Sequence, residues 1–271
     1  MITITKKEFD QLSAYIKANY GIYLKPEKET LVIGRLQNEL LQKGFKNFTE
    51  YYDYVINDKT GIAVSVLMDK ITTNHTFFMR EADHFAYFRE VVLPYLASRV
   101  TDRDLRIWCA GCSSGEEPYT LAMLLDEFFG RDKPYWDTKI LATDISNKVL
   151  EEAKRGVYGN KEMETLPAKW RMSYTVKQDS ETSIFTEKIR NEVIFARLNL
   201  MEKVFPFRKK FHVIFCRNVM IYFDEMTKNT LVKKYYDLLE TGGYLFIGHS
   251  ESLNREETGF KYVQPAVYRK M

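Results

Sequence analysis

The stretch WCAGCSSGEEPYTLA, from Trp108 to Ala122, holds residues suited to two different chemistries. Cys109 and Cys112 have the C-x-x-C spacing of a redox dithiol or of half a zinc site. Gly111 and Gly115 lie between an apolar run and a helical pattern, which is the plan of a nucleotide cradle. A reactive dithiol needs a thiolate, and Glu116 and Glu117 place negative charge where it opposes ionisation. Zinc needs four ligands, and only Cys216 remains among the three cysteines. Cys109 and Cys112 therefore read as small buried packing residues.

The cradle has a chemical bias of its own. Loops that bind phosphate leave the helix N-terminus free for an anion. Here two carboxylates crowd that end, so a pyrophosphate would be repelled, whereas hydroxyls or an ammonium could be accepted. The ligand expected is a nucleoside without phosphate and with positive charge, and S-adenosylmethionine has both properties. Asp144 closes the next apolar run, ATDIS, where an acidic side chain binds ribose hydroxyls. A simpler role for it is to cap the following helix.

These residues must be positioned by regular elements. Thr5 and Glu8 have capping-box spacing before Phe9, Leu12, Ile16 and Tyr20 at helical intervals. Further helices are expected from Pro26 to Lys43 with Gly44 as stop, from about Asn47, and over 62–71. From about Arg103 short β-rich runs alternate with helical patterns. The runs lie at 105–110, 139–144, 192–198, 212–216, 243–248 and 266–270, with helices expected over 116–129, 148–154 and 225–239. This predicts an α/β fold, a doubly wound Rossmann-like sheet with a helical front part. The domain plan is a helical domain over 1–72, a linker over 73–90 and a sheet domain over 91–271. A polar β-hairpin insertion is expected at 170–191.

Composition agrees with a globular chain: 271 residues, 45% hydrophobic, 28% charged, net charge +3. That charge is too small to argue for bulk attraction to nucleic acid or membrane. No apolar run is long enough to span a bilayer, MITITKKEFD lacks the regions of a signal peptide, and a cytoplasmic protein is expected. His75, His84, His212 and His249 show no ligand spacing, and no metal is expected.

Taken together, TNHTFFMRE (73–81), CSSGEEPYTLAM (112–123), ATDIS (142–146), RLNL (197–200), CRNVMIYF (216–223) and GHSE (248–251) resemble the chemotaxis receptor methyltransferases, the CheR family. The resemblance covers essentially the whole chain. It implies an S-adenosylmethionine-dependent protein-glutamate O-methyltransferase that forms γ-carboxyl methyl esters on chemoreceptor cytoplasmic helices and releases S-adenosylhomocysteine. It also implies roles. Asn74, Thr76 and Arg80 match linker positions that reach the cofactor, and Glu117 and Asp144 match its acidic contacts. Asn199 and Leu200 match contacts near the adenine. Cys216, Arg217 and Asn218 match the strand end beside the methionine part, through backbone groups more than side chains. Arg80 and Tyr222 match residues near the transferred methyl.

A glutamate substrate needs no general base, because its pKa of about 4.3 leaves it ionised near neutral pH. Alignment is what the enzyme must supply, and Arg80 is suited to hold a carboxylate through its planar fork. Without the family pattern, Arg80 would read as an exposed arginine paired to Glu81 or Asp83, and Tyr222 as a core residue. Two rival classes stay open: a nucleic-acid methyltransferase on the same fold, and a silent S-adenosylmethionine-binding module. No N-P-P-Y or D-P-P-Y motif supports the first. The family's basic docking helix corresponds to residues 28–43, where Arg35 is accompanied by Glu29 and Glu39. The expected partner is a chemoreceptor cytoplasmic domain, with no nucleic acid, no membrane insertion and a monomeric state.

Overall fold

The computed structural model describes residues 2–254 and 257–271. The chain opens with four helices: α1 (Lys6–Tyr20), α2 (Glu29–Lys43), α3 (Phe48–Asn57) and α4 (Ile62–Ile71). Their ends follow the local chemistry. Thr5 and Glu8 form the capping box of α1, Asn47 caps α3, and Gly21 and Gly44 end α1 and α2 in left-handed conformation. Pro26 begins a short 3₁₀ turn, and α2 proper starts at Glu29. The apolar stripes meet in one cluster that includes Phe9, Leu12, Ile16, Val32, Leu36, Leu40, Tyr51 and Leu67. Leu41, which sits on the α2 pattern, is 58% exposed and stands off this core.

Among the described residues the larger part is built on ten strands: β1 (Ile107–Ala110), β2 (Ile140–Asp144), β3 (Val157–Gly159), β4 (Thr175–Lys177), β5 (Thr182–Phe185), β6 (Val193–Arg197), β7 (Phe211–Cys216), β8 (Leu239–Ile247), β9 (Lys261–Gln264) and β10 (Val267–Arg269). Seven form one sheet in the order β6-β2-β1-β7-β8-β10-β9. The first five are mutually parallel, and β10 runs antiparallel to both neighbours. β9 has no counterpart among the expected strands: its burial is only partial, so KYVQ shows little of the apolar pattern that marks the central strands.

β1 and β7 are buried along their full length, as a parallel sheet covered on both faces requires. Alternate residues feed opposite layers. Ile107 and Cys109 join the core beneath the helix Glu116–Phe129, while Trp108 and Ala110 join the core beneath the helix Glu225–Leu238. The order reverses between β1 and β7, since β2 lies on one side of β1 and β7 on the other. Crevices that hold ligands open at the carboxyl ends of the strands at such a point.

β3, β5 and β4 make a second, small antiparallel sheet. The hairpin within 170–191 thus spans only 175–185, and short helices flank it at Ala168–Tyr174 and Glu187–Arg190. One side of this unit is apolar: Tyr158, Trp170, Phe185 and Ile189 are buried in the main core.

Candidate active site

The cleft lies between the carboxyl ends of β1, β2 and β7 and the linker that follows α4. It encloses about 1120 Å³ of non-atom space, solvent at its mouth included, which is ample for a nucleoside with an amino-acid tail. Asn74, Thr76, Arg80, Glu117, Asp144, Asn199, Leu200, Arg217, Asn218 and Tyr222 all line it. Cys216 does not. It is fully buried, and its thiol lies 3.1 Å from the Tyr235 hydroxyl on the far layer.

The glycine loop is held from several sides. Gly111 has φ +97°, and a Cβ there would meet Val219 Cγ2 at 2.4 Å, so only glycine lets the loop cross the end of β7. Asp144 Oδ2 accepts from the Ser113 amide at 2.9 Å and Oδ1 from the Ser146 amide at 3.0 Å. Ser146, not Asp144, caps the next helix through Val149 N–H. The Ile145 amide also acts on this carboxylate, and burial pushes its pKa up against the lowering effect of the three amides. An acidic group already aimed and only partly satisfied is well suited to ribose hydroxyls.

The two glutamates of the loop part company, which corrects the expectation of two carboxylates at the helix entrance. Glu117 faces the cleft, but Glu116 is turned into the protein, 8% exposed, where it accepts from Ser114 Oγ at 2.9 and 3.0 Å. Burial raises its pKa to about 7. Consecutive residues on a helix point about 100° apart, so only one of the pair can face the ligand. Glu117 is also not a free charge: its Oε2 accepts from Arg217 Nη1 at 2.8 Å.

Arg217 ties the site together. Its side chain is 3% exposed, pairs with Glu117 and with Glu81 Oε2 at 3.2 Å, and donates to the Arg80 carbonyl. Its guanidinium also lies over the Phe85 ring. Asn218 sits in left-handed conformation, φ 58°, with its Nδ2 3.3 Å from Glu81 Oε1. Glu251, of the GHSE stretch, accepts from the amides of Gly248, Asn218 and Ile221 at 2.6, 2.9 and 3.1 Å and so shapes the turn carrying Asn218 and Tyr222.

Arg80 is flanked by Met79 and Glu81, both left-handed at φ 61° and 55°. Such angles are costly for side chains of this kind, about 1–3 kcal/mol each, and the surrounding contacts must hold them. Arg80 donates to the His75 carbonyl at 2.8 Å and stands over the Phe77 ring. Among the described residues it forms no ion pair, so neither Glu81 nor Asp83 neutralises it: Glu81 is committed to Arg217, and Asp83 lies 3.1 Å from His249 Nε2. Tyr222 directs its hydroxyl to the Thr73 carbonyl at 3.3 Å. Asn199 spends its side chain on the Asn19 carbonyl and the Met201 amide, so its contribution to a ligand would come from the remaining face.

Several lining residues carried no sequence signal. Tyr20 and Ile22 reach the cleft only because the α1–α2 connection pairs with Phe223. Glu81 and Glu251, which brace the site without lining the cleft, are visible only as parts of the family stretches. Cys109 and Cys112 are reduced and buried, and burial drives both thiols well above their ordinary pKa. Glu81, His84 and His249 bring possible ligand atoms within 4.8 Å of one another. The Arg217 guanidinium already sits on Glu81, however, and its positive charge opposes a cation there.

Numbered along the chain, the seven strands of the main sheet run 3-2-1-4-5-7-6, a dinucleotide-type order with its last strand inserted antiparallel. With a glycine loop and an acidic strand end at the reversal, this architecture is that of an S-adenosylmethionine-dependent methyltransferase. Residues 74–269 match the CheR methyltransferase SAM-binding domain, and residues 7–72 match the CheR methyltransferase all-alpha domain. The chain belongs to the CheR methyltransferase family. It is 44% identical to a chemotaxis protein methyltransferase of Borreliella burgdorferi over 99% of this chain and 96% of that one. It is 33% identical to the chemotaxis protein methyltransferase of Escherichia coli K12, over 98% and 92%. Chemotaxis protein methyltransferase 1 of Pseudomonas aeruginosa is 34% identical, over 95% and 94%.

Proposed function

We propose that this methyltransferase acts on glutamate side chains of chemoreceptor cytoplasmic helices inside the cell. S-adenosylmethionine supplies an activated methyl group. The protein's task is to hold a carboxylate in line with it, exclude water and neutralise the carboxylate's charge during approach. Asp144 would hold the ribose hydroxyls, with Asn74, Thr76, Leu200 and the backbone around Ser113 and Asn218 enclosing the rest. Asn199 would act through its backbone and the exposed edge of its amide. Arg80 would accept the substrate carboxylate, with the Tyr222 hydroxyl beside it.

One observation carries the reading: Arg80 is the lining guanidinium without a carboxylate partner among the described residues, whereas Arg217 has two. A half-buried cation left open in a cleft calls for an anionic visitor, and a glutamate side chain fits the planar fork. The names of the full-length relatives point to receptors as the source of that glutamate.

The test incubates the protein with methyl-labelled cofactor and chemoreceptor cytoplasmic fragments. Base-labile label on receptor glutamates is the expected result. Label in added nucleic acid, or cofactor binding with no transfer to any fragment, overturns the proposal.

A further inference from the structure

The linker that carries Asn74, Thr76 and Arg80 has no strand or helix of its own over residues 72–77. Its backbone is held instead by side chains. Five consecutive carbonyls each accept one: Ile71 and Thr72 from Arg35 Nη1, Thr73 from the Tyr222 hydroxyl, Asn74 from Ser113 Oγ and His75 from Arg80 Nη1. Arg35 adds a bond from Nη2 to Thr73 Oγ1 at 2.7 Å. Of these donors only Arg35 belongs to the helical bundle, where it projects from the middle of α2.

We infer that Arg35 is a positioning residue: its guanidinium clamps residues 71–73 so that the linker presents Asn74, Thr76 and Arg80 to the cleft. It has no place in the cleft's lining and acts through the linker alone. The clamp is directional, since a planar fork can span two successive carbonyls and a neighbouring hydroxyl together, which an ammonium cannot. It also stands on the C-terminal end of α4, where carbonyls left over from the helix favour a cation. A guanidinium committed inward in this way is not available to dock an acidic receptor helix. Through Arg35 the bundle therefore contributes to cofactor binding at a distance, beyond the residues it places in the lining. The proposal deepens the assignment of the linker residues to the cofactor site and rests on that reading.

The experiment uses the full chain with Arg35→Met, which keeps the apolar stem and removes the fork, together with Arg35→Lys and Thr73→Val. Affinity for S-adenosylmethionine is measured by calorimetry without receptor, and kcat and KM for a receptor fragment are measured separately. The expected result for Arg35→Met is about tenfold weaker cofactor binding, equivalent to about 1.4 kcal/mol, and a lower kcat with receptor KM changed by less than about twofold. Arg35→Lys should recover part of the loss, and Thr73→Val should reproduce part of it. Unchanged cofactor affinity with a raised receptor KM would make Arg35 a docking contact and overturn the inference. A lowered melting temperature with unchanged affinity would reduce it to a stability role and do the same. If Arg35→Met fails to fold, the other two variants carry the same comparison. Failure of the parent to label receptor glutamates would refute the substrate reading and leave the receptor-free binding arm intact.

Discussion

Arg80 and Arg217 show two fates for a guanidinium in one cleft. Arg217 is sealed between Glu81 and Glu117, and removing it would strand two carboxylates in a nearly dry site. Arg80 keeps its charge open. Arg80→Ala should therefore lower methyl transfer by about 100-fold, close to 3 kcal/mol of alignment and charge stabilisation, with a much smaller change in cofactor affinity. Equal turnover by variant and parent would remove its assigned role. Asp144→Ala should weaken cofactor binding measurably by calorimetry, and unchanged affinity would exclude a ribose contact. Glu116 predicts a pH effect. Its pKa is about 7 in the fold against the 4.5 of an ordinary glutamate, so between those values the folded chain keeps a proton that the unfolded chain has released. Stability from this group is full at low pH and is lost as pH rises through 7. Between pH 5 and pH 8, Glu116→Gln should gain on the parent by about 3 kcal/mol in unfolding free energy. Parallel stability curves would sink that account.

At the scale of elements, the turn after β7 shows how a buried acid builds a site. Glu251 gathers three amides from two segments, and the Gly248 amide is brought so near that a Cβ on that residue would meet Asn218 Nδ2 at 2.4 Å. Glu251→Ala should leave those donors unmet, destabilise the protein by about 3 kcal/mol in denaturant titration and lower kcat with it. Retained stability and turnover would mean that the turn holds itself. The elements themselves were legible where local chemistry decides them. The capping box at Thr5, the stop at Gly44 and the helix from Glu116 to Phe129 stand where spacing put them. β3 and β9 are short and only partly apolar, and their pairing depends on distant partners, so periodicity could not disclose them. Asp144 and Glu117 were legible as acids near a glycine loop. That Glu116 turns away follows from helix geometry, and that Arg217 neutralises Glu117 depends on a contact 100 residues apart in sequence.

Over the whole molecule, the bundle and the sheet form a continuous wall around the cleft. Lys17 pairs with Asp224 at 2.7 Å, Tyr23 N–H donates to the Tyr222 carbonyl, and Ile22 bridges to Phe223. Gly21 sits at this seam with φ +72°, and a Cβ there would meet Met201 Sδ at 2.5 Å. Gly21→Val should pry the seam open, lowering the melting temperature and cofactor affinity together while far-ultraviolet circular dichroism keeps its helical signal. Normal affinity in that variant would show that the seam does not shape the cleft. No sequence pattern marks such a seam, because it exists only once surfaces about 200 residues apart in the chain meet.

The thiols of Cys109 and Cys216 lie at the heart of the sheet, on the adjoining strands β1 and β7, while Cys112, in the loop that follows β1, is buried against the cleft. Burial raises all three thiol pKa values. A thiol-specific dye added to the native enzyme thus reaches Cys109 and Cys216 only when the centre of the molecule opens. The uptake of colour is then a stopwatch for that opening, built in without engineering. It should slow when the methyl donor is bound, because the donor must leave before the strands can part.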